Sequence, residues 1–386
     1  MRKKVLSAVL AATMVAGMMG NVVSVSAEEK YDLTLYSVNT TDPDFDDWLA
    51  NVEEATGLNI NVIAAPTDTD TRQQKITTIL STGDSSVDIV EINDEMGAAF
   101  KNSGWLEGLN DTVMTDDIID QFAQGYIQDM ITDKDGNIVG VPGYTGYLAF
   151  WVNQEIMDEV GIESIDTKED FMKYMEAVSK DGRFGYGGSW EKTYASNEIA
   201  QFVNMFGGDY FDWTKEENKE AIQFLHDLVA NKETPVDQIA DKYDQMNPKI
   251  NDGKYGCWFM WGLGTDYAKA DMLGADKIHM AMVPDFSGNG ERAIFTDSWN
   301  YVLNSASKNK DAAIKFLQYM ADEGGMEASY KAFDRYPARK DVAEKVVPDT
   351  DPAKEMYSQY AEECNVQGRP LVAQTMAVSY THLRAH

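Results

Sequence analysis

The sequence contains little cysteine, little histidine and few basic residues. Its two cysteines, Cys257 and Cys364, exclude a disulfide framework or a zinc cluster; they form at most one bridge, and reduced buried thiols are the alternative. Only His226 and His279 lie in the body of the chain, so a Ser-His-Asp hydrolase is hard to assemble. Lys and Arg number 33 against 64 Asp and Glu, giving a net charge of -31. Because this charge repels phosphates and anionic lipid headgroups, we expect no nucleic-acid or membrane-surface partner.

Common catalytic and cofactor motifs are also missing. The chain has no Gly-x-Ser-x-Gly elbow, no His-Glu-x-x-His pair, no phosphate loop and no dinucleotide fingerprint. Residues 133–137 faintly resemble a calcium loop, but the later bidentate Glu is absent, so we expect a hairpin turn there. We therefore expect no enzyme activity, no cofactor and no metal. A secreted glycosidase remains an alternative, because it needs only two carboxylates.

The first 27 residues differ from the rest of the chain. Arg2, Lys3 and Lys4 precede an apolar stretch at residues 5–19, and Val25-Ser26-Ala27 forms a small-residue cleavage site. This pattern predicts a secretory signal peptide that is cleaved near Ala27. No later stretch approaches the roughly 20 apolar residues that a spanning helix needs. We expect a secreted protein at the extracellular face of the cell envelope or in the periplasm.

The next segment alternates between strand and helix patterns. Residues 33–36 predict a strand, a helical pattern runs from Phe45 to Gly57, and residues 58–64 predict a second strand. A helix over 71–80 and a strand over 87–92 complete a β-α-β-α-β order. This order is typical of a mainly parallel sheet covered by helices. Ligands bind beyond the carboxyl ends of such strands, which indicates two loops, residues 37–44 and 93–95.

A second α/β region follows. Thr167 with Asp170, and Thr214 with Glu217, have capping-box spacing ahead of apolar periodic runs. A further helix is predicted over residues 308–321.

The end of that helix and the end of the chain are marked by changes in composition. Gly324 and Gly325 should end the helix over 308–321. Residues 374–378 begin a helical pattern, whereas residues 379–386 change character abruptly. We expect these last eight residues to be a non-native addition to a truncated reading frame.

Aromatic residues provide the strongest positive indication of function. Trp190, Trp261 and Trp299 lie in loop-like, glycine-rich contexts, with core filling as the alternative. Trp48 and Trp105 are embedded in apolar periodicity, which favours the core. A sugar ring has a face of C–H bonds and a rim of hydroxyls, so a carbohydrate site needs flat aromatic platforms beside polar side chains. The three loop-like tryptophans therefore favour a carbohydrate ligand.

Several weak motifs occur in a fixed order over residues 30–375. They are Val87-Asp88-Ile89-Val90 with Gly104-Trp105-Leu106-Glu107-Gly108-Leu109, Gly136-Asn137-Ile138-Val139-Gly140-Val141-Pro142 with Phe150-Trp151-Val152-Asn153, Gly253-Lys254-Tyr255-Gly256 up to Trp261-Gly262, Ser307-Lys308-Asn309-Lys310-Asp311-Ala312-Ala313, and Tyr336-Pro337-Ala338-Arg339-Lys340-Asp341-Val342. In this order they resemble the family 1 extracellular solute-binding proteins of ABC importers. That group includes maltose- and oligosaccharide-binding proteins.

The resemblance implies an α/β fold of the type II, periplasmic-binding-protein-like kind, in which a multi-crossing hinge joins two lobes around the ligand. Crossings are expected near 142–147, 295–301 and 349–352. The expected division is 1–27 signal peptide, 28–141 plus 299–350 lobe 1, 146–296 plus 352–378 lobe 2, and 379–386 tail. We expect two departures from the family: no anchoring cysteine follows the predicted signal peptide, and the family's C-terminal helices are missing after Gln374.

The resemblance also implies a function. A monomer would capture a carbohydrate, either a mono- or an oligosaccharide, and deliver it to the permease subunits of an ABC importer. A secreted glycosidase and a sensory or adhesion module of the same fold are the alternatives.

Loop position and side-chain chemistry together select nine candidate ligand-binding residues. They are Asn39, Asp94, Glu95 and the weaker candidate Arg339 from the first lobe, Tyr144, Trp299 and Asn300 at the hinge floor, and Trp190 and Trp261 from the second lobe.

Overall fold

The computed structural model describes residues 31–123, 126–192, 194–261 and 277–369. In these ranges the strands are β1 Leu33–Ser37, β2 Ile60–Ala64, β3 Ile89–Asn93, β4 Val141–Asn153, β5 Phe184–Gly187, β6 Tyr255–Trp261, β7 Ile278–Ala281, β8 Arg292–Leu303 and β9 Cys364–Gly368. They are hydrogen-bonded in the order β2-β1-β3-β8-β4-β6-β5, and β7 pairs with β4 while β9 pairs with β8. The signal-peptide prediction, Gly262 and the two C-terminal predictions fall outside the described ranges.

The helices lie between these strands. Their bounds are α1 Phe45–Thr56, α2 Thr69–Thr82, α3 Asp94–Phe100, α4 Asp116–Ile119, α5 Gln154–Val160, α6 Lys168–Val178, α7 Ala195–Met205, α8 Glu216–Ala230, α9 Tyr243–Asn251, α10 Lys310–Ala321, α11 Glu323–Phe333, α12 Lys340–Val346 and α13 Pro352–Glu363. A π-helical turn spans Ile127–Ile131 and a 3-10 helix spans Val236–Ala240.

The first part of the sheet is parallel, as the sequence predicts. β1 lies between β2 and β3 and runs parallel to both. Successive residues of β3 enter different apolar clusters: Ile89 packs with Leu35 on one face, and Val90 packs with Tyr36 on the other. Both faces are therefore covered, which is the usual situation of parallel strands.

The two longest strands, β4 and β8, connect two hydrophobic cores. They pair antiparallel with each other over residues 141–147 and 296–301. Beyond Tyr147, β4 continues between β6 and β7. Val141 belongs to the core under β1 and β3, whereas residues 148–152 belong to a second core with α6, α7 and β6. β4 and β8 therefore pass from one core to the other near residues 142–147 and 295–301, where the sequence predicts two of the crossings. The lobe boundaries stay a prediction.

Local capping explains which predicted helix ends are correct. Gly57 ends α1 in the left-handed conformation, with φ of 63°, and Thr167 caps α6 by accepting a hydrogen bond from Asp170 N at 3.2 Å. The capping box predicted at Thr214 is wrong. Thr214 donates from its backbone N to Asp212 Oδ1 at 3.1 Å, which holds it in the preceding turn, and α8 begins at Glu216.

Two other predictions concern glycines and turns. Gly324 and Gly325 do not simply end a helix; they lie in the first turn of α11, after α10 has ended at Ala321. The hairpin turn at residues 133–137 is confirmed, because Thr132 pairs with Ile138 and Asp133 accepts hydrogen bonds from within the turn.

The two cysteines are free thiols. Cys257 is buried in β6, and Cys364 is half-buried at the start of β9. Across the described ranges, no helix has the length and apolar character needed to cross a bilayer.

Candidate ligand-binding site

The candidate site begins where β1 and β3 end. Because these strands are parallel, their carboxyl ends lie at the same edge of the sheet. The loop after β1 carries Asn39. The sequence predicts a loop at residues 93–95, but Asp94 and Glu95 lie in the first turn of α3. Asn93 caps this turn by accepting a hydrogen bond from Met96 N at 3.0 Å.

Arg369 meets Asp94 along one edge of β8. β3 pairs antiparallel with residues 299–303 of this edge, and β9 pairs parallel with residues 292–296. Asp94 is the first residue after β3, and Arg369 is the first after β9. The side chains of Asp94 and Arg369 therefore meet in the gap between the ends of β3 and β9, opposite residues 297–298 of β8.

The guanidinium of Arg369 joins groups from both halves of the fold. It donates from Nε to Asp94 Oδ2 at 3.1 Å and from Nη2 to Asp94 Oδ1. Its Nη1 donates to Glu95 Oε1 at 2.7 Å and to Asn197 Oδ1 at 2.9 Å. The Cζ of Arg369 lies 5.0 Å from the ring centroid of Trp261. Burial alone would lower the pKa of Arg369, but the charges of Asp94 and Glu95 raise it well above its usual value.

Three aromatic candidates each lie against an arginine. The distances from Cζ to ring centroid are 5.0 Å for Arg369 and Trp261, 5.0 Å for Arg335 and Tyr144, and 5.2 Å for Arg72 and Trp299. All three distances are within the roughly 6 Å range of cation–π attraction. The sequence prediction missed all three arginines, because no local pattern indicates which ring a distant side chain will contact.

The hinge floor is formed by paired residues of β4 and β8. Tyr144 is the register partner of Trp299, and Gly146 is the partner of Asp297, so these side chains share one face. Burial, followed by the charge of Asp94, raises the pKa of Asp297 to about 7.

Asn300 lies on the opposite face of β8 from Trp299. Successive residues of a strand point to opposite faces. Asn300 is buried, and its Nδ2 donates to the hydroxyl of Tyr126 at 2.9 Å. The structure does not bring Asn300 together with the other hinge candidates.

Asn39 is held from below by a buried carboxylate. Its Nδ2 donates to Glu91 Oε1 at 2.9 Å, and the hydroxyl of Ser37 donates to Glu91 Oε2 at 2.6 Å. Burial raises the pKa of Glu91. Asn39 is 9% exposed, so it can contact a ligand only through a small part of its surface.

Trp190 is part of the second core rather than of an exposed platform. Its side chain is 4% exposed, and its Nε1 donates to Glu198 Oε2 at 3.0 Å. Glu198 Oε1 also accepts a hydrogen bond from Ser189 N at 2.8 Å, and Tyr186 donates its hydroxyl to Oε2. Burial raises the pKa of Glu198 to about 7. The glycine-rich sequence around Trp190 suggested a loop, but α7 provides the acceptor that fixes the ring.

Arg339 lies away from the other candidates. It donates from Nη1 to the carbonyl of Ala321 at 2.9 Å and from Nε to Asp341 Oδ1 at 3.0 Å. Ala321 is the last residue of α10, so Arg339 satisfies a helix carboxyl end. Arg335, four residues earlier, is the arginine that reaches the hinge.

An exposed ion pair connects the two halves of the fold at the rim of the site. Lys242 Nζ, just before α9, lies 3.7 Å from Asp68 Oδ2, which precedes α2.

A cavity of about 1080 Å³ adjoins Arg369 on one side. Residues of α3, α7 and β9 line it, together with Tyr210 and the exposed ring of Phe211. None of the nine candidates lines this cavity. Five of them contact one of the three arginines instead: Asp94, Glu95 and Trp261 contact Arg369, Tyr144 contacts Arg335, and Trp299 contacts Arg72.

In the described part of the chain, no group of three or more His, Cys, Asp or Glu side chains is arranged to hold a metal.

Comparison with known proteins adds a family match. The sequence model of the bacterial extracellular solute-binding proteins matches residues 39–327. A curated relative, the arabinooligosaccharide-binding protein of Halalkalibacterium halodurans, is 27% identical over an alignment of 286 residues that covers 69% of this chain. The match spans 61% of the length of that relative.

Solved structures agree in fold. A maltose-bound MalE3 of Thermotoga maritima has a TM-score of 0.74 at 19% identity, over 91% of this chain and 92% of that one. A solute-binding protein of an ABC transporter from Thermotoga lettingae, bound to α-D-tagatose, has a TM-score of 0.76 at 20% identity and the same two coverages. These likenesses confirm the two-lobe α/β fold class predicted from the sequence.

Proposed function

The chain belongs to the family of bacterial extracellular solute-binding proteins, and from this premise we propose that it captures a carbohydrate outside the cell and delivers it to the permease of an ABC importer. The family consists of binding proteins rather than enzymes. This family membership therefore disfavours the glycosidase alternative.

The meeting of both halves of the fold at Arg369 carries the proposal. Asp94 and Glu95 come from the end of β3, whereas Asn197 and Trp261 come from α7 and β6. A ligand that contacts both groups of residues stabilises the closed arrangement by its differential affinity for it. The hinge strands β4 and β8 provide the axis for such a closure.

The chemistry of these groups fits a sugar. Trp261, Trp299 and Tyr144 offer aromatic rings, and Glu95, whose side chain is 13% exposed, offers an acceptor for a hydroxyl donor. The arabinooligosaccharide-binding relative and the maltose- and tagatose-bound structures support this ligand class. A guanidinium group lies against each of these three rings, so we propose that the hinge opens before a sugar enters.

The experiment is a thermal-shift screen of the full chain against arabinotriose, maltose, D-tagatose, D-mannitol and ribitol, followed by calorimetry of the best sugar. At 100 times the Kd, a ligand adds about 2.7 kcal/mol to the unfolding free energy, which raises Tm by a measurable amount. A chromogenic glycoside incubated with the same protein should release no chromophore. A panel without any shift, or steady turnover of the glycoside, would contradict the proposal.

A further inference from the structure

Glu91 is a buried carboxylate beneath the loop that follows β1. It is 3% exposed and lies on β3. Its Oε2 accepts hydrogen bonds from the hydroxyl of Ser37 at 2.6 Å and from the backbone N of Val38 at 2.7 Å. The hydroxyl of Tyr301 on β8 also hydrogen-bonds to it. One carboxylate thus connects the loop after β1 with a hinge strand.

The remaining oxygen of Glu91 determines the orientation of Asn39. Oε1 accepts the hydrogen bond from Asn39 Nδ2 at 2.9 Å. Ser37, Val38 and Tyr301 also donate to this carboxylate, so it acts as an acceptor and the donor end of the amide faces it. The carbonyl oxygen of the amide is then the atom turned away from Glu91. Among the described residues, no hydrogen bond to this oxygen is formed, which leaves it available as an acceptor.

We propose that Glu91 is a positioning residue that makes Asn39 present a hydrogen-bond acceptor to a hydroxyl of the ligand. This inference rests on the proposed function. Glu91 itself does not contact the sugar. It fixes one orientation of a side chain whose two ends would otherwise be interchangeable, and so selects ligands that place a hydroxyl donor at this point.

Asp88 offers a matched control on the same segment of the chain. It is 1% exposed and accepts hydrogen bonds from Thr34 N at 2.8 Å and from the hydroxyl of Ser307 at 2.5 Å. It also accepts a bond from Asn309 Nδ2 at 3.2 Å. Asp88 and Glu91 are therefore similar buried acceptors, but Asp88 lies before β3 begins, at the opposite end from Asn39.

The test is a double-mutant cycle of ligand affinity, measured by calorimetry with the panel sugar that gives the largest thermal shift. Glu91→Gln should weaken binding about tenfold, the value of one lost hydrogen bond. Asn39→Ala should weaken it by a similar factor. In the Asn39→Ala background, Glu91→Gln should change the Kd less than about twofold, because its effect passes through Asn39. Asp88→Asn should lower Tm without changing the Kd.

The opposite results would overturn the inference. Additive effects of Glu91→Gln and Asn39→Ala, or equal losses of affinity in Glu91→Gln and Asp88→Asn, would indicate a merely structural role. Should Glu91→Gln fail to fold, Asn39→Asp decides the question. This variant keeps an acceptor but cannot donate to Glu91, so it should bind at least tenfold more weakly; wild-type affinity would contradict the inference. Binding of no panel sugar to the wild-type protein would instead refute the proposed function, and the inference with it.

Discussion

Arg369 and Asp94 form a two-point salt bridge, although 275 positions separate them in the sequence. Asp94 is fully buried, and Arg369 is 6% exposed. The pair connects the residue after β9 with the residue after β3, and it lies next to the hinge strand β8. Breaking it from one side leaves a buried charge without compensation.

Arg369→Ala should therefore lower the unfolding free energy by about 3–5 kcal/mol. Urea denaturation followed by tryptophan fluorescence measures this loss. Asp94→Asn in the Arg369→Ala background should recover part of it, because the uncompensated charge is gone. An unchanged denaturation midpoint in Arg369→Ala would contradict the assignment of the pair as a buried structural link.

Trp261 and Trp190 should respond differently to substitution. Trp261 is half-buried beside Arg369, so Trp261→Ala should cost about 1–3 kcal/mol of sugar binding and little stability. Trp190→Phe removes the hydrogen bond to Glu198 inside the second core, so it should lower Tm and leave the Kd unchanged. Calorimetry and thermal denaturation of both variants measure these effects. Equal Kd values for the wild type and Trp261→Ala would remove Trp261 from the site.

The helices and strands were predictable where local chemistry decides them. The αL glycine at 57 and the cap at Thr167 involve neighbours within four residues, and both predictions are correct. The cap predicted at Thr214 is wrong because Asp212, only two residues earlier, competes for its backbone N and hydroxyl. Local competition of this kind is visible in the sequence but easily overlooked.

The site was less predictable because its contacts are distant. Nothing near Arg369 in the sequence indicates that Asp94 and Asn197 will surround it. The orientation of Asn300, by contrast, follows from strand alternation once residues 292–303 are recognised as β8, because Trp299 and Asn300 then must face opposite ways. The sequence analysis assigned residues 295–301 to a crossing between the lobes, and therefore placed both Trp299 and Asn300 at the hinge floor.

The exposed ion pair of Lys242 and Asp68 should contribute little to sugar binding. Their side chains are 38% and 51% exposed, and an ion pair between exposed side chains stabilises a protein little because water screens it. Lys242→Ala should weaken sugar binding much less than tenfold, and salt should reduce even this difference because it screens exposed charges. Calorimetry at low and high salt measures it. A loss above tenfold would mean that the pair controls closure.

The two thiols should differ in reactivity. Burial raises the pKa of the Cys257 thiol well above its usual value, and raises that of Cys364 to about 11. Because the thiolate is the reactive form, the native protein should react slowly with a disulfide reagent, and first at the half-buried Cys364. Denaturation without reductant should expose both thiols. Recovery of no thiol in the denatured protein would indicate a disulfide.

Glu198 should make stability depend on pH. Its pKa is about 7 in the folded protein, against 4.5 for an ordinary glutamate, because burial disfavours the charged form. The folded state therefore binds this proton more tightly than the unfolded state does. The unfolding free energy that this bound proton contributes is fully present below pH 4.5 and is lost as the pH rises through 7. The shift corresponds to about 3 kcal/mol, since each pKa unit is worth about 1.4 kcal/mol.

Glu198→Gln isolates this contribution, because glutamine keeps an acceptor for Ser189 N but does not ionise. The unfolding free energy of the variant, relative to the wild type, should rise by about 3 kcal/mol between pH 4.5 and pH 8. Urea titrations at several pH values measure the difference. The comparison is needed because Asp297, with a pKa of about 7, adds a pH dependence of the same sign to both proteins. Parallel curves for variant and wild type would mean that folding does not raise the pKa of Glu198, and that its three hydrogen-bond donors offset its burial.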